Sequence, residues 1–223
     1  RRIREAREAA LEKGYKGIMF PWQSGSNGRE ESQKIHLNPQ SGRWIQDNTH
    51  LQRHISAAIP YNVWHYYQCT RDMEFLTYYG AELILGTALF WSSISEYNQE
   101  KNRYEIRGII GPDEYHTSYP DAESPGINNN AYTNFMAVWV IQCALKVMEM
   151  FDENFKFEIA KKLDINPEDI ERWKEINRKM YIPFNRDDSR IISQFDGFED
   201  LKELDWDKSV SYTHLTLPTN REV

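Results

Sequence analysis

Six consecutive residues, Gly111-Pro112-Asp113-Glu114-Tyr115-His116, set two carboxylates in a stiff turn beside an aromatic ring and an imidazole. Gly111 and Pro112 argue against a helix interior, and Ile109-Ile110 before them read as the buried end of a strand. A carboxyl held there has its pKa raised by desolvation or by the neighbouring acid, which is what a general acid working near neutral pH requires. The same hexapeptide also fits an ordinary surface turn, because short motifs arise by chance.

Other residues of chemical interest fall in loops. The segment from Phe20-Pro21-Trp22-Gln23 through Gly28-Arg29-Glu30-Glu31 carries turn formers around a Trp and acids, and runs on through Lys34, His36, Arg43, Trp44, Asp47 and His50 before regular structure returns. A loop of that length in a compact domain is functional or disordered; its tryptophans argue for function, since disordered segments are poor in aromatics. The opposite reading is that the tryptophans pin the loop to the core. Asn128-Asn129-Asn130 is a third polar group, at the start of a helix. His36, His50 and His65 read as surface or core histidines; no metal-ligand spacing accompanies them, so no metal is expected.

The elements that must position these residues are mostly helices. Ile3, Ala6, Ala10 and Leu11 mark a first helix closed by Gly14. A second runs from about His50 to Cys69, with a kink or break expected at Pro60. Asp72 reads as the N-cap of a third, longer helix carrying Phe75, Leu76, Leu83, Ala88 and Trp91. Tyr104, Ile106 and Gly108 alternate with charged Glu105 and Arg107, which predicts a short strand leading into the acidic turn. The helix from Asn128–Asn130 to about Phe151 is apolar nearly all round, which predicts an interior position. Asn166-Pro167-Glu168-Asp169 is a helix start, and Ser193-Gln194-Phe195-Asp196-Gly197 is turn-rich. Helices joined by long loops with little sheet predict an all-α fold, an α-solenoid or a closed α/α toroid, and no fixed-period repeat favours the solenoids. A toroid would gather Trp22, Trp44, Glu114 and Asn128–Asn130 at one mouth, equipment for holding and cleaving a sugar.

Composition narrows the class. With 27 basic against 34 acidic residues and a net charge of −7, neither nucleic acid nor an anionic membrane is an expected partner. No apolar run reaches about 18 residues, so no membrane span is expected. Cys69 and Cys143 lie in helical segments and read as buried thiols of a reducing, cytoplasmic compartment. The chain opens on Arg1 already in a helical pattern and reads as a piece of something longer.

Several blocks in order resemble the central domain of glycoside hydrolase family 65. They are Ala6-Arg7 through Gly17, Phe20-Pro21-Trp22 with Gly28-Arg29-Glu30-Glu31, His54-Ile55, Gly80-Ala81-Glu82, Phe90-Trp91, the acidic hexapeptide, and Asn129-Asn130-Ala131-Tyr132-Thr133-Asn134. The resemblance covers roughly residues 1–208 and implies part of an (α/α)6 barrel with short β elements and long active-site loops, truncated at both ends. It implies an inverting α-glucoside phosphorylase, a glycosyltransferase-type enzyme. Glu114 would protonate the glycosidic oxygen while inorganic phosphate, the co-substrate, attacks the anomeric carbon to give β-glucose 1-phosphate. No other cofactor is implied. The substrate would be an α-linked glucose disaccharide, and the full-length protein a homo-oligomer.

The substrate-binding residues carried over are Trp22, Gln23, Glu30, His54, Asp113, Tyr115, His116, Asn130 and Tyr132. Trp22 matches a position that contacts the acceptor-side sugar; Gln23 stands where many of these phosphorylases have Glu. Asp113 would be structural or tune Glu114, and Tyr115, His116, Asn130 and Tyr132 could bind sugar hydroxyls or brace the turn. The family's Trp-Asp donor motif would lie upstream of this chain, its Lys-Gln contacts and phosphate loop downstream. Residues 209–223 fit no family pattern and resemble translated sequencing adaptor. Two alternatives stand beside this reading: an inverting hydrolase of the acid trehalase type, which needs a second carboxylate about 6.5–9.5 Å from the first, and a non-catalytic carbohydrate-binding helical domain.

Overall fold

A computed structural model describes residues 2–38, 42–112, 116–120 and 122–202. It is helix-rich with two small hairpins. The order is α1 (Ile3–Glu12), β1 (Ile35–Asn38), β2 (Arg43–Gln46), α2 (Ile55–Thr70), α3 (Met73–Phe75), a π-helical turn (Leu76–Gly80), α4 (Ala81–Ile94), β3 (Glu96–Asn98), β4 (Arg103–Glu105), α5 (Ala131–Met150), α6 (Glu153–Leu163) and α7 (Pro167–Lys179).

The helix buried on all sides is α4, not α5 as the apolar row predicted. From Ile84 to Trp91 every residue of α4 is buried, and α2, α5, α6 and α7 pack around it. Each large apolar side chain enclosed there contributes about 1.5–3 kcal/mol. In α5 the face carrying Ala137, Val140, Ile141, Ala144 and Val147 is buried, while Phe135 is half exposed. α5 is long and apolar enough to cross a membrane by length and composition alone, but half of that stretch is enclosed by the protein, as in a core helix.

The chain after α1 docks on α4 through two glycines. Gly14 (φ 78°) closes α1 as expected. Gly17, also in the left-handed region, lies so close to α4 that a Cβ there would sit 2.3 Å from the Gly86 carbonyl oxygen. The Ile18 amide donates to that same oxygen (2.9 Å). This crossing fixes where the loop after Phe20 leaves the core.

Pro60 does not break its helix. α2 runs unbroken from Ile55 to Thr70, and residues 49–51 form a separate 3₁₀ turn. A helical proline leaves the carbonyl four residues earlier without its amide. Here that carbonyl, on Ser56, accepts the indole N–H of Trp91 from α4 (3.2 Å).

Other expectations hold or fail locally. Asp72 caps its helix by accepting from the Phe75 amide (2.8 Å), and Asn166 and Asp169 form a capping box with Pro167 in the first turn. The charged helix α6, capped by Asp152, was not marked by the sequence. The long loop is partly regular: β1 and β2 pair in it, with Leu37 opposite Trp44. Cys143 is buried, but Cys69 is exposed.

Candidate active site

Two arms bracket the acidic turn. The first rises through β4 to Ile109 and Ile110, both 2% exposed; the second descends from His116 to Asn130. Ile109 and Ile127 bond each other in both directions (3.2 and 2.7 Å), and the Asn129 amide donates to the Ile106 carbonyl (2.7 Å). Between the arms Gly126 (φ 106°) meets Gly108 so closely that a Cβ would lie 2.6 Å from the Gly108 carbonyl carbon. Asp113, Glu114 and Tyr115 lie outside the described residues; the residues that anchor them on either side do not.

The strand expected over the first arm stops at Glu105, and Glu105 itself is buried. It is 1% exposed. Lys101 Nζ lies 2.8 Å from one carboxylate oxygen, Arg107 Nε donates to the other (2.9 Å), and the amides of Asn98 (3.1 Å) and Asn129 (3.3 Å) donate as well. Burial pushes its pKa up, but bonds from Lys101, Asn98 and Arg107 outweigh that and hold it at about 2. Through Asn129 the carboxylate reaches the second arm. Asn129 is wholly buried in the left-handed region (φ 54°), and its side-chain oxygen accepts from the Ile106 amide and from the Asn134 side chain (both 3.2 Å). Alternation alone misses this residue; the Asn run opposite was the only signal for its partner.

The base of the second arm rests on the Ser193–Gly197 segment. The Gln194 carbonyl accepts from the Ala131 amide (2.9 Å), the Tyr119 hydroxyl donates to the Asp196 carbonyl (2.7 Å), and Phe195 is fully buried beneath. The His116 ring packs against Phe195 and Phe198, centroids 5.1 and 5.9 Å away.

The predicted substrate residues distribute as follows. Trp22 is half-buried with its ring against His54 (4.8 Å between centroids). His54 precedes α2, its pKa lowered by burial, and its Nδ1 is buried without a hydrogen-bond partner. The segment holding it is tied to the first arm, since the Ile110 amide donates to the Leu51 carbonyl (3.3 Å). Trp22 and His54 thus stand beside the arm that leads into Gly111-Pro112. Gln23 is exposed. Glu30 is occupied by its own loop, accepting from the amides of Trp22 (2.9 Å) and Gln23 (3.1 Å) and from the Ser32 hydroxyl (2.6 Å). Asn130 caps α5, its side-chain oxygen accepting from the Thr133 amide (3.0 Å) and hydroxyl (2.9 Å). Tyr132, in the first turn of α5, is half exposed. Trp44 stands on the hairpin, largely exposed and paired with Leu37.

Residues 1–222 match the glycosyl hydrolase family 65 central catalytic domain. The chain belongs to that family. Family members similar to it include the kojibiose phosphorylase of Caldanaerobacter subterraneus subsp. tengcongensis, 39% identical over 89% of this chain and 25% of that protein. The trehalose 6-phosphate phosphorylase of Lactococcus lactis is 41% identical over 92% and 25%. A solved human-microbiome protein assigned to the kojibiose phosphorylases superposes with a TM-score of 0.72 at 27% identity, covering 93% of this chain and 27% of its own. The chain therefore spans about a quarter of the length of these relatives. The described part of this family 65 domain holds the arms, the Trp22–His54 pair and the Glu105 hub.

Proposed function

We propose that this chain is the acid-bearing part of an inverting α-glucoside phosphorylase, within a barrel of (α/α)6 type. The observation that carries the reading is the convergence of two well-anchored arms on the Gly-Pro-Asp-Glu-Tyr-His turn beside a half-buried Trp–His pair, in a family 65 domain. Glu114 is the proton donor in this reading, the role a general acid fills for the leaving glycosidic oxygen. Trp22 offers a flat face to the acceptor sugar, with His54 as its support. One acid is enough, because phosphate is already an anion and needs only to be positioned, whereas a water nucleophile needs a second carboxylate. Kojibiose and trehalose 6-phosphate phosphorylases as relatives point to an α-linked glucose disaccharide, phosphorylated or not.

The test is a disaccharide panel incubated with the complete protein, with and without inorganic phosphate. Glucose 1-phosphate is expected only with phosphate, and Glu114→Gln is expected to lower its rate by about 10²–10⁴-fold, the usual contribution of a general acid. Free glucose released at a comparable rate without phosphate would overturn the reading in favour of a hydrolase. Full activity in Glu114→Gln would remove the acid from its role.

A further inference from the structure

A cleft of about 590 Å³ opens between α1 and the 27–30 loop, and the proposed reaction leaves it unused. Arg53, His50, Lys13 and Arg29 line it, with Glu5 and Glu30. Arg53 is 4% exposed. Its Nη1 donates to the His50 carbonyl (2.5 Å), but its Nε is buried with no partner. A buried charged donor left without an acceptor is costly. The opposite wall has the complementary vacancy, since one oxygen of Glu5 is buried with nothing to accept from.

Five bases and four acids, Glu12 among them, line the walls, so the excess of positive charge is small and the distribution of partners matters more. Arg2 and Arg4 are matched by Glu5 and Glu8, and Glu30 is occupied by its own loop. Among the described residues no carboxylate lies within ion-pair distance of Lys13, Arg29 or Arg53, although all three line the same cleft. The His50 imidazole reports the resulting field: burial, then the charges of Lys13 and Arg53, lower its pKa against the pull of Glu30 and Asp47.

We propose that this cleft binds a sugar carrying a phosphate group, with the phosphate on Arg53 and a ring hydroxyl donating to Glu5. A planar guanidinium suits phosphate, and Lys13 and Arg29 supply point charges at the rim. The volume is that of a small-molecule site, about 300–1,000 Å³, and exceeds what a lone oxyanion needs. The cleft shares a wall with the proposed sugar platform, because Pro21 precedes Trp22 and Arg53 precedes His54. The inference rests on reading Trp22 and His54 as a sugar site, but its test needs no turnover.

Calorimetry or ligand-observed NMR on the 223-residue chain, with glucose 6-phosphate, glucose and inorganic phosphate as probes, decides it. Glucose 6-phosphate is expected to bind at least tenfold more tightly than either of the others. Arg53→Lys should weaken it at least tenfold, and the paired change Lys13→Gln with Arg29→Gln three- to tenfold, with circular dichroism unchanged. If Arg53→Lys fails to fold, the exposed pair decides. Equal affinity for glucose, or indifference to the charge changes, overturns the proposal; inorganic phosphate binding as tightly as glucose 6-phosphate gives the cleft to the free anion and overturns it too. Hexose phosphate binding in this chain beside a complete protein that performs no phosphorolysis would reject the proposed reaction and keep the cleft. Phosphorolysis without such binding would do the reverse.

Discussion

Glu105 shows how a single buried carboxylate braces the segments on either side of a candidate site. Its four donors come from the β3–β4 hairpin, from the first arm and from Asn129 on the second, so it ties together the two segments that lead into the acidic turn. Its pKa falls from 4.5 to about 2 on folding. A carboxylate with a depressed folded pKa contributes stability that is fully present above its unfolded pKa and is lost as pH falls through the folded one. At about 1.4 kcal/mol per pH unit, Glu105 contributes roughly 3 kcal/mol above pH about 4.5, and that contribution is lost as pH falls from about 4.5 to about 2. Glu105→Gln is therefore expected to cost about 3 kcal/mol in urea unfolding at pH 7, and to flatten the stability–pH curve across that acidic window. An unchanged slope there would mean that Lys101 and Arg107 are satisfied by water instead.

At the scale of elements, the crossing of α2 and α4 turns on one carbonyl. Pro60 has no N–H to give Ser56, and Trp91 supplies one from the neighbouring helix. Trp91→Phe should keep most of the buried ring but orphan the Ser56 carbonyl, at about 1–3 kcal/mol for the lost bond. Pro60→Ala restores an amide within reach of that carbonyl. In the Pro60→Ala background Trp91→Phe should cost about 1 kcal/mol less, a coupling that a double-mutant cycle measured by chemical denaturation resolves. Additive costs would show that the indole bond does not substitute for the missing amide. The same crossing explains what the sequence could and could not disclose. Asn166-Pro167-Glu168-Asp169 and Asp72 were legible because a cap is local, its donor and acceptor lying within one turn. The Pro60 helix was not, since its missing bond is supplied by Trp91, 31 positions further along the chain. The burial of Glu105 was not legible for the same reason, because alternation along the chain takes no account of Lys101 and Arg107 closing over it. Charged α6 and the β1–β2 hairpin carried too little apolar periodicity to stand out. At the site, Trp22 and the hexapeptide were visible as motifs, whereas the Arg53 cleft needed α1 and the loop to be brought face to face.

Across the whole molecule, the enclosed core around α4 contrasts with an aromatic face that the described residues leave open. Tyr61 on α2 is 42% exposed, and Tyr132 and Phe135 on α5 are 48% and 47% exposed. The Tyr61 ring touches Trp139 of α5 (5.3 Å between centroids), so the two helices contribute to one surface. Contiguous apolar area of this kind marks a surface that associates. The isolated 223-residue chain is expected to bind a hydrophobic dye at neutral pH and to self-associate as its concentration rises. Phe135→Lys together with Tyr61→Lys should abolish most of both effects, followed by dye fluorescence and sedimentation velocity. Because these side chains are only partly buried, each substitution should change unfolding stability by about 0.5 kcal/mol or less. A large loss of stability would show instead that the ring contact between α2 and α5 belongs to the core, and sedimentation as a monomer at all concentrations would show that the face is too polar at its edges to drive association.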